Sequence, residues 1–202
     1  MGPMLTNDER RALLRIARFA IVESLVHERT WKPEPAGGKL EEPHGAFVTL
    51  EQRGRLRGCV GQPTAQGSLV RTVAHCAVAA AREDGRFRPV LPADVGELTI
   101  EISVLSSMEA VEPAQIEIGK HGLLVVQNDL RGLLLPRVAA ERSWTTDRFL
   151  QETCRKAGLP LSAWEMPGTQ VFCFTAEEFG ETDFAADNSS HIAHSNPQTR
   201  SQ

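Results

Sequence analysis

Apolar residues Leu13, Leu14, Ile16, Ala17, Ala20, Ile21 and Leu25 recur at helical intervals behind Thr6, and Glu9 follows Thr6 at capping-box spacing. The pattern predicts a long first helix ending near His27 to Thr30. Pro33, Pro35, Gly37, Gly38, Pro43 and Gly45 then mark an irregular loop. Ala46 to Glu51 is a short β-prone run, Arg53-Gly54 turns the chain, and Leu56 to Gln62 reads as the second strand of a hairpin. Ser68 stands where a cap is needed for a second helix through about Arg82, whose Leu69, Val70, Val73, Ala77, Val78 and Ala80 face a core. Leu98 to Leu105 alternates apolar and polar, as a half-buried strand does. Leu123 to Val126 and Leu133 to Leu135 flank Asn128-Asp129 as a second hairpin. Thr146 begins a third helix with Phe149, Leu150 and Cys154 on one face and Gly158 past its end, and Val171 to Phe174 is a last short strand. Mixed helices and hairpin-linked strands predict an α+β fold with antiparallel pairing. The body is expected to span residues 1–185, and the polar run from 186 to 202 is expected to be a disordered tail, since it has little apolar surface to bury.

Composition adds constraints. The 202 residues contain no tyrosine, so aliphatic side chains and alanine must fill most of the core. No run of 18 apolar residues exists, and the first eleven residues lack an apolar signal core, so neither a membrane span nor a secretory leader is expected. Four cysteines (Cys59, Cys76, Cys154, Cys173) lie far apart in a chain long enough to need no staples; free thiols and a cytoplasmic location are expected. The net charge of −4 is uneven: from Arg53 to Val90 seven arginines (53, 55, 57, 71, 82, 86, 88) face only Glu83 and Asp84, which leaves −9 for the remainder. A basic island in an acidic chain is a candidate anion site. Individual arginines that solvate a helix face or pair with acids are the plainer explanation.

Chemistry concentrates at Leu56-Arg57-Gly58-Cys59-Val60-Gly61. In an extended strand Arg57, Cys59 and Gly61 share one face while Leu56 and Val60 anchor the other in the core. Gly58 and Gly61 are poor strand residues, tolerated where a bulge or a ligand brings backbone close. A guanidinium beside a thiol favours the thiolate, which suits a nucleophile, a redox thiol or an anion contact. Against this, a free cysteine most often behaves as a small buried hydrophobe.

The hexapeptide closely resembles the signature of the AMMECR family, which usually has isoleucine where Val60 stands. The likeness continues through Gly45-Ala46-Phe47-Val48-Thr49-Leu50, Asp84-Gly85-Arg86-Phe87-Arg88-Pro89-Val90, Glu101-Ile102-Ser103-Val104-Leu105, His121-Gly122-Leu123, Gly132-Leu133-Leu134-Leu135-Pro136 and Lys156-Ala157-Gly158-Leu159, in the family's order over about residues 8 to 180. Gly85 stands where proline is common, and Arg137 where glutamine is common. The resemblance implies a single α+β domain in two lobes with the signature near the cleft between them. It implies no agreed reaction. It does imply company, because prokaryotic members resembling this chain are often encoded beside a Memo-like protein and a radical SAM enzyme, as components of one pathway.

Other candidates are fewer. Arg86 offers a planar fork for carboxylate or phosphate, or simply a partner for Asp84 or a cover for a helix C-terminus, while Phe87 is a stacking surface or, the favoured role, a core plug. Arg55 adds a third cation near the signature. His121 heads a strand and would serve as acid or base if the fold carried it to Cys59. His75-Cys76 point apart on a helix, and no cysteine or histidine spacing suits zinc. No P-loop, dinucleotide fingerprint or nucleophile elbow is present, so neither a metal nor a cofactor is expected. Nucleic acid is a poor match, because the basic island lacks interleaved aromatic residues. Two readings lead, ahead of a third in which the signature is a structural hairpin and function lies elsewhere. One is an enzyme or pathway accessory acting on a small anionic substrate, with Cys59, Arg57 and His121 catalytic and Gly58, Gly61, Arg86 and Arg55 binding. The other is a non-catalytic module that docks a protein or RNA through its basic patch.

Overall fold

Residues 5–184 are described by the computed structural model; the expected tail at 186–202 lies outside them. Helix α1 (Asn7–Leu25) opens on the capping box, with the Thr6 side chain accepting from the Glu9 amide and the Glu9 carboxylate accepting from the Thr6 amide. It stops at Leu25, a few residues earlier than its apolar period suggests. Glu28 there takes a φ of 54°, which turns the chain back. Arg10 binds Glu177, and Arg18 binds Glu181 and the carbonyls of Val95 and Leu98. The first helix is thereby fastened to the last part of the described chain.

Strands β1 (Ala46–Gln52) and β2 (Arg55–Gln62) form the expected hairpin. Arg53 and Gly54 both have positive φ, 54° and 70°, as a two-residue turn matched to strand twist requires. Helix α2 (Leu69–Arg82) follows. Ser68 occupies the cap position, yet its hydroxyl makes no capping bond; the Leu69 amide donates to the Glu42 carbonyl instead. Strand β3 (Leu98–Leu105) pairs with β1, and β8 (Ala176–Gly180) pairs with β3, giving an antiparallel sheet in the order β2-β1-β3-β8. The two helices cover one face, burying Leu13, Ile21, Val48, Leu50, Leu69, Val73, Ile100 and Ile102.

The second lobe is built on β4 (Glu109–Ala110), β5 (Gly122–Gln127), β6 (Leu130–Leu134) and β7 (Gln170–Phe174), ordered β4-β7-β5-β6 and again antiparallel. Leu123 packs there with Phe149 and Leu150 of α4 (Thr146–Lys156) and Ala139 of α3 (Pro136–Glu141). A small junction of Leu105, Leu135 and Phe174, with Phe47, Leu133 and Val138 against it, joins the lobes. Arg137 of α3 crosses the same junction to Glu101 on β3 and Glu178 on β8. The fold is α+β, as expected, and no helix among the described residues is long and apolar enough to cross a membrane.

Candidate functional site

Two glycines and a bulge set the geometry of β2. Leu50 pairs with Gly58 and Glu51 with Leu56, so Arg57 is the extra residue of a bulge. A Cβ on Gly58 would lie 2.1 Å from the Ala80 carbonyl oxygen, so the backbone of α2 rests directly on the strand. A Cβ on Gly61 would lie 2.2 Å from the Phe47 ring on the opposite face. The bulge overturns part of the simple alternation. Cys59 and Gly61 do share the face away from α2, but Arg57 drops out of their row, and Leu56 is 43% exposed rather than a core anchor. Val60 does pack against the core.

Arg57 spends its fork on the chain itself. Its Nη1 donates to the Arg88 carbonyl at 2.6 Å and its Nη2 to the Pro89 carbonyl at 3.0 Å. It therefore holds the loop after α2 against the bulge. The cation at Cys59 is Arg86. The Asp84 carboxylate, 7% exposed, accepts from the Cys59 amide at 2.8 Å and from Arg86 Nε and Nη2 at 2.9 and 2.7 Å, and Arg86 Nη2 also lies 3.4 Å from the Cys59 carbonyl. Both outward backbone groups of Cys59 are thus engaged by one acid–base pair. Hydrogen bonds from Arg86 hold the Asp84 carboxyl far below the usual carboxylate range in spite of burial, with the amides of Cys59 and Arg86 assisting. Asp84 in turn raises the Arg86 guanidinium above its ordinary value, and the Cys59 thiol adds to that effect. Arg86 remains 55% exposed and lies beside the half-buried Phe87 ring, 5.4 Å from its centroid.

The Cys59 sulfur is half-buried and accepts a hydrogen bond from Thr49 Oγ1 at 3.2 Å. Because the Cys59 amide goes to Asp84, Cys59 and Thr49 form a pair without mutual backbone bonds, in which side chains stand closest. Glu101 is next across the sheet from Thr49, and Gly180 beyond it, where a cavity of about 250 Å³ opens between Glu51, Glu101 and Glu178. Burial raises the Glu178 carboxyl, with Glu101 and Glu141 adding to the rise against the opposing pull of Arg137. The remaining cysteines are buried. The Cys76 thiol is pushed up to about 12 by burial, and burial also raises Cys154 and Cys173.

His121 is placed in the other lobe. It accepts from the Glu117 amide and lines a cavity of about 310 Å³ with Ser106, Glu109, Lys120 and Cys173, so the thiol in its pocket is Cys173 and not Cys59. Arg55 opens β2 opposite Gln52 and is exposed. Among the described residues no group of three or more His, Cys, Asp or Glu is placed to hold a metal ion. The signature alone did not reveal Thr49 and Asp84 as partners of Cys59. Thr49 stands in a neighbouring motif, and the Asp84-x-Arg86 spacing was the available signal.

These features define a class: a two-lobed protein of antiparallel sheets that displays one half-buried thiol on the edge strand of its first sheet. The chain belongs to the AMMECR1 family, whose pattern matches residues 14–179. It is 40% identical over 185 residues to a protein of Methanothermobacter thermautotrophicus, covering 88% of this chain and 96% of that one. It is 42% identical over 181 residues to a protein of Thermococcus kodakarensis, covering 84% and 88%. The crystal structure of an uncharacterized protein from Pyrococcus horikoshii matches with a TM-score of 0.79 at 40% identity, over 84% of this chain and 90% of that chain.

Proposed function

We propose that the sheet face around Cys59 is the working surface of the protein and that Cys59 is its reactive group, acting on a small substrate whose anionic group meets Arg86. The observation that carries this reading is the contrast among the four thiols. A reactive sulfur needs access, a hydrogen-bond donor and a nearby cation. Cys59 is the half-buried one, with the Thr49 hydroxyl and the Arg86 guanidinium beside it, while Cys76, Cys154 and Cys173 are buried. The Asp84–Arg86 pair fixes the backbone on both sides of the sulfur, which suits a group that must be held in position. Arg57 belongs to this machinery as a positioning residue, because its fork is occupied by two carbonyls. On the family likeness alone, we place the chain in a pathway with Memo-like and radical SAM proteins. Limited iodoacetamide labelling of the native protein, read by mass spectrometry, should modify Cys59 first and Cys76 last. Labelling of Cys173 or Cys154 ahead of Cys59 would overturn the proposal.

A further inference from the structure

The arginines counted as one island in the sequence divide in three dimensions. Arg71 and Arg82 leave the signature entirely. On α2 they share a stripe with Ala74, His75 and Val78, facing the seam with α1. Ala20 and Ser24 of α1 form the opposite wall. The positive φ of Glu28 sends the chain back across this seam, so Arg29, Trp31, Lys32 and Pro33 close a cavity of about 460 Å³. Arg29, Lys32, Arg71 and Arg82 thus converge on one cavity whose lining carboxylates are Glu28 and Glu83. Among the described residues none of these four cations has a side-chain hydrogen bond or ion pair, in a chain whose net charge is −4.

Four unneutralised cations on a concave surface oppose each other unless an anion joins them. Three of them are guanidinium forks, suited to the oxygens of a phosphate. Set against two carboxylates, the four leave an excess of two charges, which a phosphomonoester dianion balances. The rest of the cavity is not polar: Trp31 presents an indole wall, backed edge-on by Phe19 at 4.8 Å, and Ala20, Ala74, Val78 and Pro33 supply apolar surface. A flat wall beside a cationic cluster recognises a planar ring attached to phosphate. The volume lies within the ordinary range for small-molecule sites. We propose that this cavity at the α1–α2 seam binds a small phosphorylated molecule carrying a planar ring, of the size and chemistry of a nucleotide. The site is separate from Cys59 and does not rest on the thiol reading.

The test is titration of the full chain with AMP, ADP and ATP, and with pyrophosphate as the ring-free arm, followed by calorimetry and tryptophan fluorescence. At least one nucleotide should bind saturably, quench fluorescence that a Trp31→Phe variant lacks, and bind at least tenfold more tightly than pyrophosphate. Arg71→Ala and Arg82→Ala, exposed changes that leave the core untouched, should each weaken binding about tenfold, while Cys59→Ser should leave it unchanged. Trp31→Phe should keep pyrophosphate binding and lose part of the nucleotide advantage. Absence of saturable binding, equal affinity in the arginine variants, or binding of single-stranded RNA without any mononucleotide would each overturn the proposal.

Discussion

The edge of β2 and the seam between α1 and α2 draw on the same stretch of arginine-rich sequence, and they use it in opposite ways. At the edge, Arg57 is tied to two carbonyls and Arg86 to Asp84, and the glycines leave no unfilled space. At the seam, Arg71 and Arg82 meet further cations around an open cavity. The first set of charges holds the chain in shape; the second is available. Distance along the sequence does not separate the two sets, because the distinction depends on what lies opposite each side chain once the helix and the loop are in place.

Four substitutions probe that contrast. The largest effect should come from Gly58→Val, since its Cβ would meet the Ala80 carbonyl, a backbone atom that cannot step aside. A cost of about 3 kcal/mol or more is expected, at the upper end of overpacking, measured by denaturant unfolding. Asp84→Asn should cost about 1–3 kcal/mol, the scale of hydrogen bonds to a charged group, held to that level by solvent around Arg86. The pH dependence should identify the cause. The Asp84 carboxyl is depressed in the folded protein, so its contribution is complete above the unfolded value near about 4 and is lost only as pH falls below that range. The gap between wild type and Asp84→Asn should therefore be flat from neutrality down to mildly acid pH and close beneath it. The smallest effects compare two arginines directly. Arg57→Ala should cost about 1–2 kcal/mol through two lost hydrogen bonds, whereas Arg71→Ala should stay within about 0.5 kcal/mol. Equal melting temperatures for those two variants would remove the distinction between the regions.

Much of this architecture was readable from local signals. Thr6 and Glu9 announced α1, Arg53-Gly54 announced the first hairpin, and alternation over Leu98 to Leu105 announced β3. Helix α3 escaped because six residues starting at a proline show no period, and β8 escaped because its Glu177-Glu178 pair breaks the alternation that marks a strand. The candidate site stood out in the sequence as a segment but not as an arrangement. Gly58 and Cys59 stand out in sequence, yet the bulge that removes Arg57 from their row lies beside the contact of Gly58 with Ala80 of α2, more than twenty residues distant. For the same reason the thiol's cation proved to be Arg86. Its pairing with Asp84 is local, but the attachment of that pair to Cys59 is not. His121 read as a possible partner for Cys59 only because nothing in a linear chain says which lobe a strand will join.

The Asp84–Arg86 pair has one more consequence, for how the molecule meets other chains. Strand β2 ends the first sheet, and an exposed sheet margin is a template on which a foreign or identical strand can add, the usual beginning of domain swapping and fibril growth. At Cys59 the carboxylate occupies the amide and the guanidinium approaches the carbonyl, so the two groups an incoming strand would need are already taken by side chains. Two residues earlier the bulge at Arg57 breaks the regular spacing that such a strand would have to follow. The stretch of edge that displays the half-buried Cys59 sulfur is thereby a poor template for an added strand.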